Sequence, residues 1–257
     1  MGTSSIFNGR NDKNPLLPDD YENETNNSSS YSEKVLWQTV KTDMSKYINS
    51  GGRYTSPRHI AKQYIKASGG TKRLVSQSKS GISAGVKLGT FFNSIRANGI
   101  EITFKNFGIE YSGRSVHDIF SKMINVLAPE SNTKENIVAR EATQEALVKL
   151  YDYVERNNLD IQCLNEMPLE LLHEALAEYV GSYIWILMMK DLGSRLEMYI
   201  ENSHEAYKIE SEFKDMIMSI VNVEFEKEKD ILNKDISRAL KELYSSCLSV
   251  MEGIIWL

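Results

Sequence analysis

The chain has 257 residues, of which 41% are apolar and 25% charged, and a formal net charge of −5. That length supports a real hydrophobic core, and the composition is that of an ordinary globular protein. With only 2 cysteines it is not a disulfide scaffold, and 5 prolines with 15 glycines favour long helices over many short strands.

Residues 1–31 are rich in Asn, Ser, Asp and Gly, and their only apolar patch is Pro15-Leu16-Leu17-Pro18. Such a segment cannot bury enough surface to offset its ordering entropy, so a disordered tail is expected. Leu16 and Leu17 suit a short anchor for a partner or for the domain's own surface. No charged n-region precedes an apolar h-region, so the start does not read as a secretory signal. A cytoplasmic protein with no membrane association is expected, and the Asn-x-Ser/Thr matches at Asn23, Asn26 and Asn27 then carry no meaning.

Residues 32–257 read as one all-α, multi-helix bundle. Ser32 is a candidate N-cap, with Leu36, Val40, Met44, Tyr47 and Ile48 at helical spacing before Gly51-Gly52. Ser56 caps a second helix with Pro57 at its first position, and Gly69-Gly70 ends it. A third helix is predicted over about 81–97, with Ile82, Val86, Phe92 and Ile95 on one side. Gly81, Gly85 and Gly89 share a face of it, which predicts close approach of another helix backbone. Residues 100–107 alternate weakly and are the doubtful segment. Ser115 with Asp118 resembles a capping box opening a helix to Leu127. Thr133 opens a helix to about Glu155, and Pro168 the longest one, to about Tyr199. The run Tyr179–Met189 is the most apolar, too short to span a bilayer and expected to be the most buried helix. Amphipathic stretches at 213–221 and 232–251 follow, and Ile254 to Leu257 should dock on the core or on a partner.

Charge is divided unevenly. Residues 31–100 carry 12 Lys/Arg against 2 Asp/Glu, a net of +10, and residues 101–257 carry 16 against 28, a net of −12. The basic half, 32–100, concentrates its charge in Arg53, Arg58, Lys62, Lys66, Lys72, Arg73, Lys79 and Lys87. Three uses fit: pairing with the chain's own acidic half, 101–257; docking to an acidic partner; or a nucleic-acid-binding adaptor that grips phosphates. The sequences Ser68 to Arg73 and Ser78 to Gly81 look phosphate-friendly, and a helix N-terminus near Ser80 suits a weakly held phosphate. Neither fits a P-loop, and both read better as basic interhelical loops.

Few residues suggest chemistry. Glu170-x-x-His173 and Glu201-x-x-His204 have the spacing of a di-metal helical bundle, with Glu141 and Glu145 available as further ligands. His173 lies beside its leucine stripe rather than in it, so chance matches in a glutamate-rich half are the better explanation, and no metal is expected. His59 and His117 read as surface residues, and Cys163 and Cys247 as buried reduced thiols. No catalytic residue is assigned and the chain does not read as an enzyme.

At the N-terminus, the small second residue predicts removal of Met1 and a free α-amine on Gly2. Ile6 stands where a myristoylation signal wants Ser or Thr. An α-amine ordinarily titrates at about 7.7–8.0, which leaves a fraction neutral and nucleophilic near neutral pH.

Several segments resemble the QatB family, a component of bacterial four-gene Qat anti-phage defence systems. They are Met1-Gly2-Thr3-Ser4-Ser5, Asn14 to Pro18, Tyr64 to Gly70, Gly81 to Phe92 with its spaced glycines, and Ala139 to Ala142 with Glu145-Ala146. The similarity covers most of residues 1–155. The opening departs from the family, with Asn and Asp in place of Gly and Pro, and the C-terminal third carries no resemblance. The resemblance implies work beside an ATPase, a QueC-like enzyme (QatC) and a TatD-like nuclease. It implies further that Gly2 accepts a deazaguanine acyl group made by the QueC-like partner. The chain would then be a protein substrate and scaffold needing no cofactor beyond that covalent deazaguanine adduct.

Overall fold

The computed structural model describes residues 35–199, 203–228 and 235–253, and every described element is helical. In chain order these are α1 (Trp37–Ser50), α2 (Pro57–Ala67), α3 (Thr71–Gln77), α4 (Lys79–Phe107), α5 (Val116–Leu127) and α6 (Lys134–Arg156). A short 3₁₀ turn (Ile161–Glu166) leads to α7 (Leu169–Tyr199), α8 (Ser203–Lys227) and α9 (Ile236–Glu252). Among the described residues no strand occurs, as the sequence predicts. Ser32, Leu232 and Ile254 to Leu257 lie outside the described residues.

Local signals set most boundaries. The Ser56 hydroxyl accepts from His59 N at 3.3 Å, with Pro57 as first helical residue of α2. Ser115 accepts from Asp118 N and Thr133 from Asn136 N, both at 3.1 Å, opening α5 and α6. Asp235 accepts from Ser237 N and Arg238 N at 3.0 and 3.3 Å, opening α9. Gly51 ends α1 with φ +57°, a left-handed turn that an L side chain resists.

Three expectations about these elements need correction. Residues 68–73, read as a basic interhelical loop, run from Thr71 onward into the helix α3, with Thr71 and Leu74 buried. Residues 100–107, the doubtful segment, continue α4 beyond a break at Gly99 (φ 76°, ψ 171°). The break frees the amide of Ile100, and Asn165 of the 3₁₀ turn accepts from it at 2.8 Å. That carboxamide caps the second part of α4 from 65 residues away, so nothing local predicted it. Leu36, counted on the inward stripe of α1, is 43% exposed, because it precedes the helix in extended backbone.

The core is one continuous apolar cluster that draws on every helix. Its axis is α7, which touches α1, α4, α6 and α8. Leu172, Leu176, Tyr179, Tyr183, Met188 and Leu192 are all buried on it, confirming the predicted burial of this helix. A helix apolar on most sides belongs in a protein interior. None of the described helices is long and apolar enough to cross a membrane.

Candidate functional site

Two helix N-termini of the basic half are closed by carboxylates of the acidic half. Glu135, in the first turn of α6, accepts from Ser80 N at 2.6 Å and Gly81 N at 3.1 Å at the start of α4. The neighbouring Asn136 Oδ1 accepts from the Ser80 hydroxyl at 2.6 Å. Glu252, in the last turn of α9, accepts from Thr71 N at 3.0 Å and from its hydroxyl at 2.7 Å, at the start of α3. An α-helix leaves its first amides unpaired and its N-terminus partly positive, so an anion is favoured there. The place near Ser80 that suits a phosphate is thus held by the chain's own Glu135.

Beside this contact lies the glycine stripe. A Cβ on Gly85 would stand 2.7 Å from the Tyr179 ring, and one on Gly81 would overlap the edge of the Tyr183 ring. A Cβ on Gly89 would stand 3.0 Å from Ile236 of α9. The glycines do mark close approach, but tyrosine rings of α7 fill the space, not a helix backbone. The Tyr179 hydroxyl donates to Gly81 O at 2.6 Å, and Tyr244 of α9 shares a 2.8 Å hydrogen bond with the Ser78 hydroxyl. Burial raises the pKa of Tyr64, Tyr179, Tyr183 and Tyr244, and neighbouring tyrosines or carboxylates reinforce it, so these phenols stay neutral. The cavity left between Tyr179, Tyr183 and Tyr244 and the glycines, about 20 Å³, has room for about one water. Glu135, Glu252 and this tyrosine cluster escaped sequence reading. The one available signal was Tyr179 and Tyr183 at i, i+4, the same step as the glycines.

The basic residues sit differently. Arg53 lies in the α1–α2 turn, Arg58 and Lys66 on α2, Lys72 on α3 and Lys79 at the start of α4, all five exposed. None of these five has a carboxylate partner among the described residues. Arg58, Lys62 and Lys66 follow at steps of four, opposite the buried Ile60, Ala61, Tyr64 and Ile65. Lys62 is half-buried, and a Cβ on Gly253, just past α9, would stand 3.1 Å from its ammonium nitrogen. Its charge thereby faces the negative end of α9. Arg73 folds its methylenes over Gly69, and Lys87 donates to Val126 O at the end of α5.

In the acidic half several lysines pair with carboxylates of the same half. Lys134 pairs with Asp191, Lys149 with Glu178 at 3.6 Å, and Lys190 with Glu141 at 2.8 Å. Lys214 lies 3.2 Å from Glu178 and 3.6 Å from Glu145. Burial alone would lower the Lys214 pKa, but those two carboxylates outweigh it and raise it. Across the boundary, Asp191 accepts from the Tyr64 hydroxyl at 2.9 Å. Lys41 senses Asp191 too, yet burial and Arg195 hold its pKa below the lysine range.

Glu141 and Glu145 therefore bind lysines, and the His173 ring packs 5.5 Å from that of Phe225. Glu201 lies outside the described residues. Among the described residues no group of three His, Cys, Asp or Glu is arranged to hold a metal. His59, expected as an isolated surface residue, is exposed but stands 3.3 Å from Asp43. Cys247 is buried, and its thiol is pushed up to about 12 by burial first and Glu224 second. Cys163 is only half-buried, contrary to expectation, because the 3₁₀ turn sits at the edge of the core. Gly2, Leu16 and Leu17 lie outside the described residues.

No curated protein and no solved structure matches the chain. A family model described as Qat anti-phage system associated protein QatB matches residues 69–251. The match runs from the turn before α3 almost to the end of α9, so it includes the C-terminal third, where the sequence alone carried no resemblance. The matched stretch holds the glycine stripe, Glu135 and the buried tyrosines 179, 183 and 244. It covers well over half of the chain, and the chain belongs to the QatB family of Qat anti-phage system components.

Proposed function

We propose that this chain serves its Qat system as a non-catalytic protein substrate and scaffold, modified on the α-amine of Gly2 by a QueC-like partner in the cytoplasm. The family match carries the reading, joined to the Met1-Gly2 opening. The partner would activate a deazaguanine carboxylate as its adenylate. The neutral Gly2 nitrogen attacks the acyl carbon, the C–N bond forms, AMP leaves with the C–O bond, and the nitrogen loses a proton. Only the neutral amine has the lone pair for this step, and the ordinary α-amine pKa of about 7.7–8.0 keeps that form available near neutral pH. The helical body would hold this substrate near its partners. Its polar groups at buried Ser78 and Gly81 and half-buried Glu135 and Glu252 are engaged in helix-to-helix hydrogen bonds, which suits a scaffold.

The test is the intact mass of the protein co-expressed with its three gene neighbours. A mass increment equal to the deazaguanine acyl group is expected at the N-terminus. It should vanish in Gly2→Leu, whose bulky second residue retains Met1, while the far-ultraviolet dichroism stays helical. An unmodified mass in the complete system would overturn the reading.

A further inference from the structure

We infer that the exposed cationic face formed by the α1–α2 turn, α2 and the start of α3 is a docking site for an acidic protein surface, contacted through Arg53, Tyr54, Arg58, Lys66 and Lys72. The inference rests on the reading that the chain works as a scaffold beside other components of its system.

The charge on this face is not used by the fold. Residues 31–100 carry 12 cations against 2 carboxylates. Half-buried Lys149 and Lys214 and exposed Lys190, elsewhere in the chain, each have a carboxylate within 3.6 Å. Arg53, Arg58, Lys66 and Lys72 have none among the described residues. The helices that carry these cations adjoin, since α2 and α3 meet the same end of α9. Lys62 reaches Gly253, and Thr71, next to Lys72, is held by Glu252. Beside Arg53 stands Tyr54, 83% exposed, the most exposed of the large apolar side chains described. Tyrosine and arginine are the residues that most often carry binding energy at protein interfaces.

A protein fits this face better than a nucleic acid. The patch is short and bounded, because α2 also packs on α8, which carries six carboxylates against three lysines. A phosphate backbone extending past α2 would run onto that surface, in a chain of net charge −5. Binding of single strands draws on several aromatic platforms, and here one tyrosine stands among the cations. A discrete carboxylate cluster matches a patch of this size, and complementary charge speeds its encounter and fixes its orientation.

The test compares Arg53→Glu/Arg58→Glu with Arg96→Glu/Lys105→Glu, a reversal of equal charge on exposed residues of α4. Arg58 lies in the first turn of α2, where a carboxylate is favoured, and Arg53 in a turn, so the folded state should survive both changes. Tyr54→Ala is the second variant. The full chain is titrated with each purified protein encoded by its gene neighbours, at physiological salt. The expected result is a complex with one of them that weakens about tenfold or more in Arg53→Glu/Arg58→Glu and measurably in Tyr54→Ala, with the α4 variant unchanged. Equal affinity in the two double variants, or no complex with wild type, overturns the inference. So does tight binding of a dT oligonucleotide, or self-association, that is lost specifically in Arg53→Glu/Arg58→Glu. An unmodified wild-type mass in the complete system would reject the conjugation while leaving these affinities as they stand, so the two failures are distinguishable.

Discussion

The acidic helices α6 to α8 and the basic helices α2 and α3 handle charge in opposite ways. In the first group, carboxylates and lysines are interleaved and neutralise one another, as Glu178 does between Lys149 and Lys214. In the second, Arg53, Arg58, Lys66 and Lys72 point to solvent without such partners among the described residues. Opposite net charges suggested that one half would pair with the other through its side chains. What joins them is mainly carboxylate to helix N-terminus, as with Glu135 and Glu252, with the Tyr64–Asp191 hydrogen bond and apolar packing around the glycine stripe. A net charge is a sum over residues, whereas a salt bridge needs two particular side chains within reach, and the packing of helices decides which those are.

The largest expected effect tests the contact between the halves. Gly85→Val should destabilise the protein by about 3 kcal/mol, because the Tyr179 ring occupies the space its side chain needs. Gly193→Ala, on a part of α7 where nothing lies within 4 Å, should stabilise by about 0.5–1 kcal/mol, and equilibrium denaturation of the two variants measures the contrast. Next, Glu135→Ala should cost about 1–2 kcal/mol by leaving the Ser80 and Gly81 amides without their acceptor. A loss below about 0.3 kcal/mol would mean that water replaces that carboxylate at the start of α4.

Lys214→Ala should cost about 1 kcal/mol, discounted for its partly exposed ammonium, whereas Arg58→Ala and Lys72→Ala should lie within about 0.5 kcal/mol of wild type. If removing the basic-face cations were as costly, the comparison between the halves would fail. The smallest effect is in pH. Burial would raise the Glu224 pKa, but hydrogen bonds from Lys227 and Ser246 outweigh it and leave it below the ordinary 4.5. Its stabilising contribution is therefore complete above that unfolded value and is lost as the pH falls through the lower folded one. Glu224→Gln should flatten that part of an acid titration of Tm, and an unchanged slope would assign it to other carboxylates.

Much of the fold was legible in local sequence. Ser56-Pro57, Ser115 with Asp118 and Thr133 gave helix starts that the structure reproduces, since a cap and its amides lie within a few residues. The apolar run of α7 gave the core helix for the same reason. The segment 100–107 was obscure because its cap, Asn165, comes from another element, and α3 because seven residues hold too few periods to stand out. Of the candidate site, the basic cluster could be read from the sequence, while the pairing state of its members could not.

By itself, then, the sequence determined an all-helical chain, the inward faces of its helices, a polar opening segment with Gly2 near its start, and the division of charge. Each of these depends on residue types repeated or adjacent along the chain. Only the tertiary structure decided that Glu135 and Glu252 close the α4 and α3 N-termini, that tyrosine rings fill the Gly81–Gly85 face, and that Arg53, Arg58, Lys66 and Lys72 have no carboxylate partner among the described residues. Those outcomes join residues from distant parts of the chain, and they depend on how whole helices pack, which no local pattern encodes.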